Sequence, residues 1–164
     1  MLNPAPILVI GIGNPSRGDD ALGPNCIERL AALALPDVDL VGDFQLQVEF
    51  ALDLVDRRRV IFVDAAASGP GPFAHGRVRP RRDPSFTSHQ LSAAAVLYTF
   101  EQLYGVPPET WLLAIRGYRF ELGEDLTPQA AANLDAALDW LLTQGLVSTW
   151  ENSQQTLDTA VEFP

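Results

Sequence analysis

The chain has a single cysteine, Cys26, which excludes an intramolecular disulfide framework and any metal cage built on cysteine thiolates. Basic residues are also scarce. Lysine and arginine together number 11 against 21 carboxylates, a net charge of −10. Phosphate backbones and anionic lipid surfaces repel such a chain, so neither nucleic acid nor a membrane is an expected partner. No apolar run approaches the ~18 residues of a membrane span, and the N-terminal segment lacks the basic start of a secretory signal. These absences predict a cytoplasmic protein.

What is present is enough for a core. The 164 residues are 47% hydrophobic and 20% charged, which excludes a wholly disordered chain and fits one domain at roughly 150 residues each. Short apolar runs at residues 7–10, 38–41, 60–63 and 111–115 read as buried strands, and Arg77 to Arg79 as a weak edge strand. Helical spacing follows the first run through Ile27, Leu30, Ala31 and Ala34, with Pro24 in the first turn and Pro36 as the stop. A brief helical pattern covers residues 50–56. Ser88 is the expected cap of a helix from Leu91 to Tyr104. Thr127-Pro128 signals a last helix, ended by Gly145. The glycines and prolines of residues 68–76 predict a loop. Alternating strands and helices predict an α/β fold, a three-layer α/β/α sandwich around an open, mostly parallel twisted sheet of about five strands. The domain is expected over residues 1–147, and residues 148–164 read as a flexible acidic tail.

The loop after the first strand resembles two phosphate-linked patterns and fits neither. Gly11-Ile-Gly13 opens like a dinucleotide fingerprint, but Ser16 stands where the third glycine belongs. Asp19 and Asp20 would then oppose a pyrophosphate at the helix N-terminus. Gly11 to Pro15 is similar to the opening of the peptidyl-tRNA hydrolases. That family needs a histidine shortly afterwards, and here the stretch runs Ser16-Arg-Gly-Asp-Asp20. The base is missing.

Ligands of open α/β sheets gather beyond the carboxyl ends of the strands. Asp20 follows the first strand, Asp64 ends the third, and His89 stands at the entry to the helix after the long loops. Two carboxylates and an imidazole suit a divalent first-row ion. Each also has a plainer explanation. Asp19 and Asp20 could complement a helix N-terminus, Asp64 could brace a loop, and His89 could be a surface histidine near a cap. Cys26, between apolar positions of the first helix, reads as a buried structural thiol. His75 falls in the glycine-proline loop and is left out of the site. No Ser–His–Asp or Cys–His arrangement is indicated, so a covalent acyl-enzyme is not expected.

Four segments in order resemble the maturation endopeptidases of nickel–iron hydrogenases. They are Ile10-Gly-Ile-Gly-Asn14 with Gly18-Asp-Asp20 and Gly23; Phe62-Val-Asp-Ala65; Ser88-His-Gln-Leu91; and Leu126-Thr-Pro128. The resemblance covers about residues 7–145. It implies an endopeptidase that removes the C-terminal extension of the hydrogenase large-subunit precursor after nickel insertion. It also implies that Asp20, Asp64 and His89 contact the nickel, which the substrate supplies and which another divalent ion can replace. The family often has Glu where Asp20 stands. Asp20 or Asp43 would assist the attacking water, giving an aspartic-type peptidase. Many members carry Asp-Gly-Gly-Thr or Asp-Gly-Ser-Thr where this chain reads Asp43-Phe-Gln-Leu-Gln47. Only Asp43 is kept, so Asp43, Phe44, Gln45 and Gln47 are expected to shape recognition of the precursor. The competing reading makes Phe44, Leu46 and Val48 core residues of an extended strand. A rival function is a chaperone that binds the nickel-loaded subunit without cutting it.

Overall fold

The computed structural model describes residues 3–82 and 92–147. Five strands form one sheet in the order β2-β1-β3-β5-β4. They are β1 (Ile7–Ile12), β2 (Val38–Asp43), β3 (Arg59–Ala66), β4 (Phe73–Val78) and β5 (Glu109–Arg116). The first four in that order run parallel, and β4 closes the edge antiparallel to β5. The helices are α1 (Leu22–Ala31), α2 (Phe50–Asp53), α3 (Ala93–Tyr104) and α4 (Pro128–Trp140), with a 3₁₀ turn, Gly18–Ala21, between β1 and α1. The α/β/α sandwich expected from the sequence is the observed architecture.

The central strands are apolar on both faces because both faces are covered. Ile7 and Val9 of β1, with Ile61, Val63 and Ala65 of β3, pack under α1 and α4. Leu8, Ile10 and Ile12, with Val60 and Phe62, pack under α2 and α3. Each large side chain so buried is worth about 1.5–3 kcal/mol before conformational entropy is set against it. Cys26 belongs to the first core between Leu22 and Leu30, one and two turns along α1. Burial pushes its thiol up to about 12, which leaves it an inert packing group.

Caps and edges account for the differences from expectation. α4 starts as anticipated: Thr127 accepts a hydrogen bond from the Ala130 N–H (3.2 Å), and Pro128 fills the first helical position. α4 then runs into a π-helical turn, Leu141–Gly145, that stops at the expected glycine. α3 is capped by Ser92, whose hydroxyl accepts from the Ala95 N–H (3.2 Å). Ser88 and Leu91, the expected cap and start, lie outside the described residues. The helix at α2 covers one turn rather than residues 50–56.

β4 begins at Phe73, inside the stretch expected to be loop. Tertiary packing overrides the local glycine and proline signals there. Phe73 and His75 lie against α4, and His75 stacks on Trp140 with ring centroids 4.4 Å apart. His75 is therefore a packing residue on the α4 side of the sheet. β2 runs to Asp43, two residues past the expected end, and there the strand stops. Phe44 is 65% exposed and Val48 45%. Only Leu46 of the three packs on the core, so the strand-extension reading of Phe44 and Val48 is overturned. No helix among the described residues is long and apolar enough to cross a membrane. The tail expected over residues 148–164 lies outside the described residues.

Candidate active site

The carboxyl ends of β2, β1 and β3 lie side by side. Ile12 pairs with Asp43 on one flank, and Gly11 pairs with Val63, the residue before Asp64, on the other. Asp43 and Asp64 thus stand on either side of the β1 exit, about 10 Å apart at the backbone by two interstrand spacings.

The loop leaving β1 brings Asp20 back to this edge. The Gly13 N–H donates to the Asp43 carbonyl (3.0 Å), continuing the ladder one residue past β1. The Asn14 N–H then donates to Asp20 Oδ2 (2.7 Å), and the Ser16 N–H to Asn14 Oδ1 (2.9 Å). Gly13 has φ +148°, and a Cβ there would sit 1.9 Å from the Asp20 carbonyl oxygen. Any side chain at this position would push Asp20 away from the β1 exit. The Gly-Asn string serves to fold the chain tightly back on itself.

Asp20 and Asp64 share one electrostatic environment. Burial raises the Asp20 carboxyl above its ordinary value, while the Asn14 N–H and the Arg17 charge pull it back. Asp64 is pushed up to about 8, by burial first and then by the negative charge of Asp20, against the pull of the Ala65 N–H. That amide donates to Asp64 Oδ1 (2.8 Å). Desolvation and like-charge repulsion both favour the protonated form, and either is relieved when a cation arrives. Asp43 lies at the rim, where its Oδ1 accepts from the Phe44 N–H (2.7 Å). Phe44, Gln45 and Gln47 are exposed beside it. His89 lies outside the described residues, and among the described residues no three His, Cys, Asp or Glu side chains gather closely enough to hold a metal. The described site is therefore a pair of carboxylates with a third at the rim.

Asp19 is the residue that sequence reasoning passed over. It is wholly buried, and its carboxylate accepts from the N–H groups of Tyr118, Arg119 and Thr127 and from the Thr127 hydroxyl. Neither it nor Asp20 caps α1, though both stand in the first turn of the 3₁₀ segment that leads into it, so a complement to the helix N-terminus accounts for part of the doublet and the Asp19 hydrogen bonds for more. The partners are about a hundred residues away in sequence, and only the repeated carboxylate and the Thr127-Pro128 motif hinted at them.

Sheet, crossovers and acid pair define an α/β protein of the open-sheet kind, with its acid pair toward the carboxyl ends of the strands, where such sheets commonly bind ligands. No protein-family model matches the chain. The hydrogenase 2 maturation protease of Escherichia coli K12 is 30% identical over 146 residues, covering 83% of this chain and 88% of that protein. The solved structure of the hydrogenase maturating endopeptidase HybD from E. coli superposes with a TM-score of 0.69 at 26% identity, covering 84% of this chain and 90% of that one. A hydrogenase 2 maturation peptidase from a Thaumarchaeota archaeon gives 0.63 at 25% identity, over 88% and 99%. The chain belongs to the hydrogenase maturation proteases, and it is a peptidase.

Proposed function

We propose that the chain removes the C-terminal extension of a nickel–iron hydrogenase large-subunit precursor once nickel is in place, acting in the cytoplasm. The substrate brings the metal. Asp20, Asp64 and His89 hold the nickel ion, and that grip sets the scissile peptide bond beside the carboxylates. The observation that carries this reading is the Asp20–Asp64 pair, two carboxylates made reluctant to ionise by burial, Asp64 also by the charge of Asp20. A divalent ion takes the place of the proton at such a pair. Adding the His89 imidazole favours a first-row transition ion over magnesium or calcium.

Asp20, or Asp43 at the rim, takes a proton from the attacking water in the manner of an aspartic-type peptidase. The water oxygen bonds to the scissile carbonyl carbon, the C–N bond breaks, and the proton passes to the leaving amine. No side-chain nucleophile is required. Asp43, Phe44, Gln45 and Gln47 recognise the precursor, which explains why an aromatic ring stands exposed beside the site. The test compares nickel-loaded with nickel-free precursor, reading the mass of the precursor's C-terminus. Only the loaded form should be shortened. Equal cutting of both would remove nickel from the recognition, and cutting of neither would overturn the proposed substrate.

A further inference from the structure

The doublet Asp19-Asp20 splits into two jobs that its sequence does not distinguish. Asp20 turns toward Asn14 and the β1 exit. Asp19 turns the other way, into the segment between β5 and α4. Its Oδ2 accepts from the Tyr118 N–H (2.7 Å), the Arg119 N–H (3.1 Å) and the Thr127 hydroxyl (2.8 Å), and its Oδ1 from the Thr127 N–H (2.7 Å). The Asp19 N–H donates to the Arg119 carbonyl (2.7 Å). On one side the Gly18 N–H donates to the Glu124 carbonyl (3.0 Å), and on the other the Gly123 N–H donates to the Ser16 carbonyl (2.8 Å). Gly117 leaves room for this contact, because a Cβ there would stand 2.8 Å from the Asp19 Cβ.

Every group aimed at the Asp19 carboxylate is a donor. An ionised carboxylate accepts from all of them, whereas an amide of the same shape would turn an NH₂ toward at least one N–H. The demand is for an anion and not merely for a side chain of this size. Because Asp20 is the next residue, its backbone is fixed from both sides: Asp19 pins it to residues 117–127, and the Gly13 turn receives its carbonyl.

We propose that Asp19 is the positioning residue of the site: it locks the Gly18–Ala21 turn to the segment 117–127, and so holds the Asp20 carboxylate opposite Asp64. The inference rests on reading Asp20 as a cation ligand. Outer-layer groups that orient ligands typically govern about 10–100-fold in metal affinity, and Asp19 should fall within that range.

The experiment titrates the full chain with nickel ion alone and follows binding by calorimetry, beside thermal unfolding and precursor cleavage. Asp19→Asn should bind nickel at least about tenfold more weakly and lose cleavage in proportion. In an Asp20→Asn background the same change should weaken nickel binding no further. Thr127→Ser keeps the hydroxyl donor and should keep nickel affinity, while Thr127→Val should lower it. This second pair decides the matter if Asp19→Asn does not fold. An Asp19→Asn protein that melts earlier but binds nickel and cleaves as before would reduce Asp19 to a fold-stabilising role and overturn the proposal, as would equal losses from Asp19→Asn with and without Asp20. If Asp20→Asn alone leaves nickel binding untouched, it is the ligand assignment of Asp20 that fails.

Discussion

Asp20 lies in the turn after β1 and Asp64 inside β3, two residues before its end, yet they lie close enough that the charge on Asp20 raises the proton affinity of Asp64. Burial is the larger cause, and the two effects act in the same direction. Donors from Asn14 and Ala65 steady the two carboxylates without cancelling that shift. A protein that needed these acids only to brace loops would gain by separating them. Keeping two carboxyl groups together in a partly dry setting makes sense where a cation is to arrive and take the place of the proton.

That arrangement has a pH signature in the metal-free protein. The folded chain holds the Asp64 proton up to about 8, while the unfolded chain releases it near the ordinary value of 3.8. Between those limits the folded state binds more protons, so the contribution of Asp64 makes stability fall as pH rises. Asp64→Asn is neutral throughout and removes this slope. Melting temperatures measured across that window should show the variant gaining on the parent toward pH 8 and converging with it toward pH 4. Parallel curves would mean that Asp64 titrates normally.

His89 supplies the one nitrogen donor of the proposed ligand set. His89→Ala should fold as the parent does and leave nickel-loaded precursor uncut, because two carboxylates alone suit harder cations. Asp64→Asn should behave alike toward the precursor, since the amide gives up the charge that grips the metal. The check is the mass of the precursor's C-terminus after incubation with each variant. Efficient processing by both would separate nickel from cleavage.

The central sheet was legible because its strands are short β-branched runs, and runs such as residues 60–63 have few other uses. The caps at Thr127 and Gly145 were legible for the same local reason. β4 was legible only at Arg77 and Val78, where an edge strand was expected; its first part was not, since residues 73–76 become strand by packing Phe73 and His75 on Trp140, a residue far along the chain. At the site, the end of the apolar run 60–63 pointed to Asp64, although β3 continues past it to Ala66, and the turn after β1 pointed to Asp20. Asp19 stayed hidden because its meaning lies in four donors from Tyr118, Arg119 and Thr127, and such long-range pairings leave no periodic trace.

Phe44 and Gln45 are exposed next to Asp43, outside the core. Replacing both by glycine should therefore cost about 1 kcal/mol or less per residue, mainly through backbone entropy. Cleavage of the proper precursor should suffer more, through a raised KM, if these side chains meet it. Denaturation and steady-state cleavage of the same double variant separate the two effects. A large stability loss with unchanged KM would return Phe44 to a structural role.

Arg59 marks where the fold can be cut. Its side chain is buried at the start of β3, pairs with Glu109 (3.3 Å), and donates through Nη1 to the carbonyls of Gly145 (3.1 Å) and Val147 (2.8 Å). Residues 148–164 lie beyond that anchorage, and their sequence has no sustained helical apolar face. A chain ending at Val147 keeps both carbonyls. It should unfold cooperatively, melt within a few degrees of the full chain, and still process its precursor. A chain ending at Thr143 removes both acceptors from a buried guanidinium. Hydrogen bonds to charged groups are each worth about 1.5–3 kcal/mol, so this second cut should lower stability by several kcal/mol. Thermal melts of the two truncations test the boundary directly. Loss of cooperative unfolding in the longer one would show that residues 148–164 belong to the folded core, and equal stability of both would show that the Arg59 anchorage carries no weight.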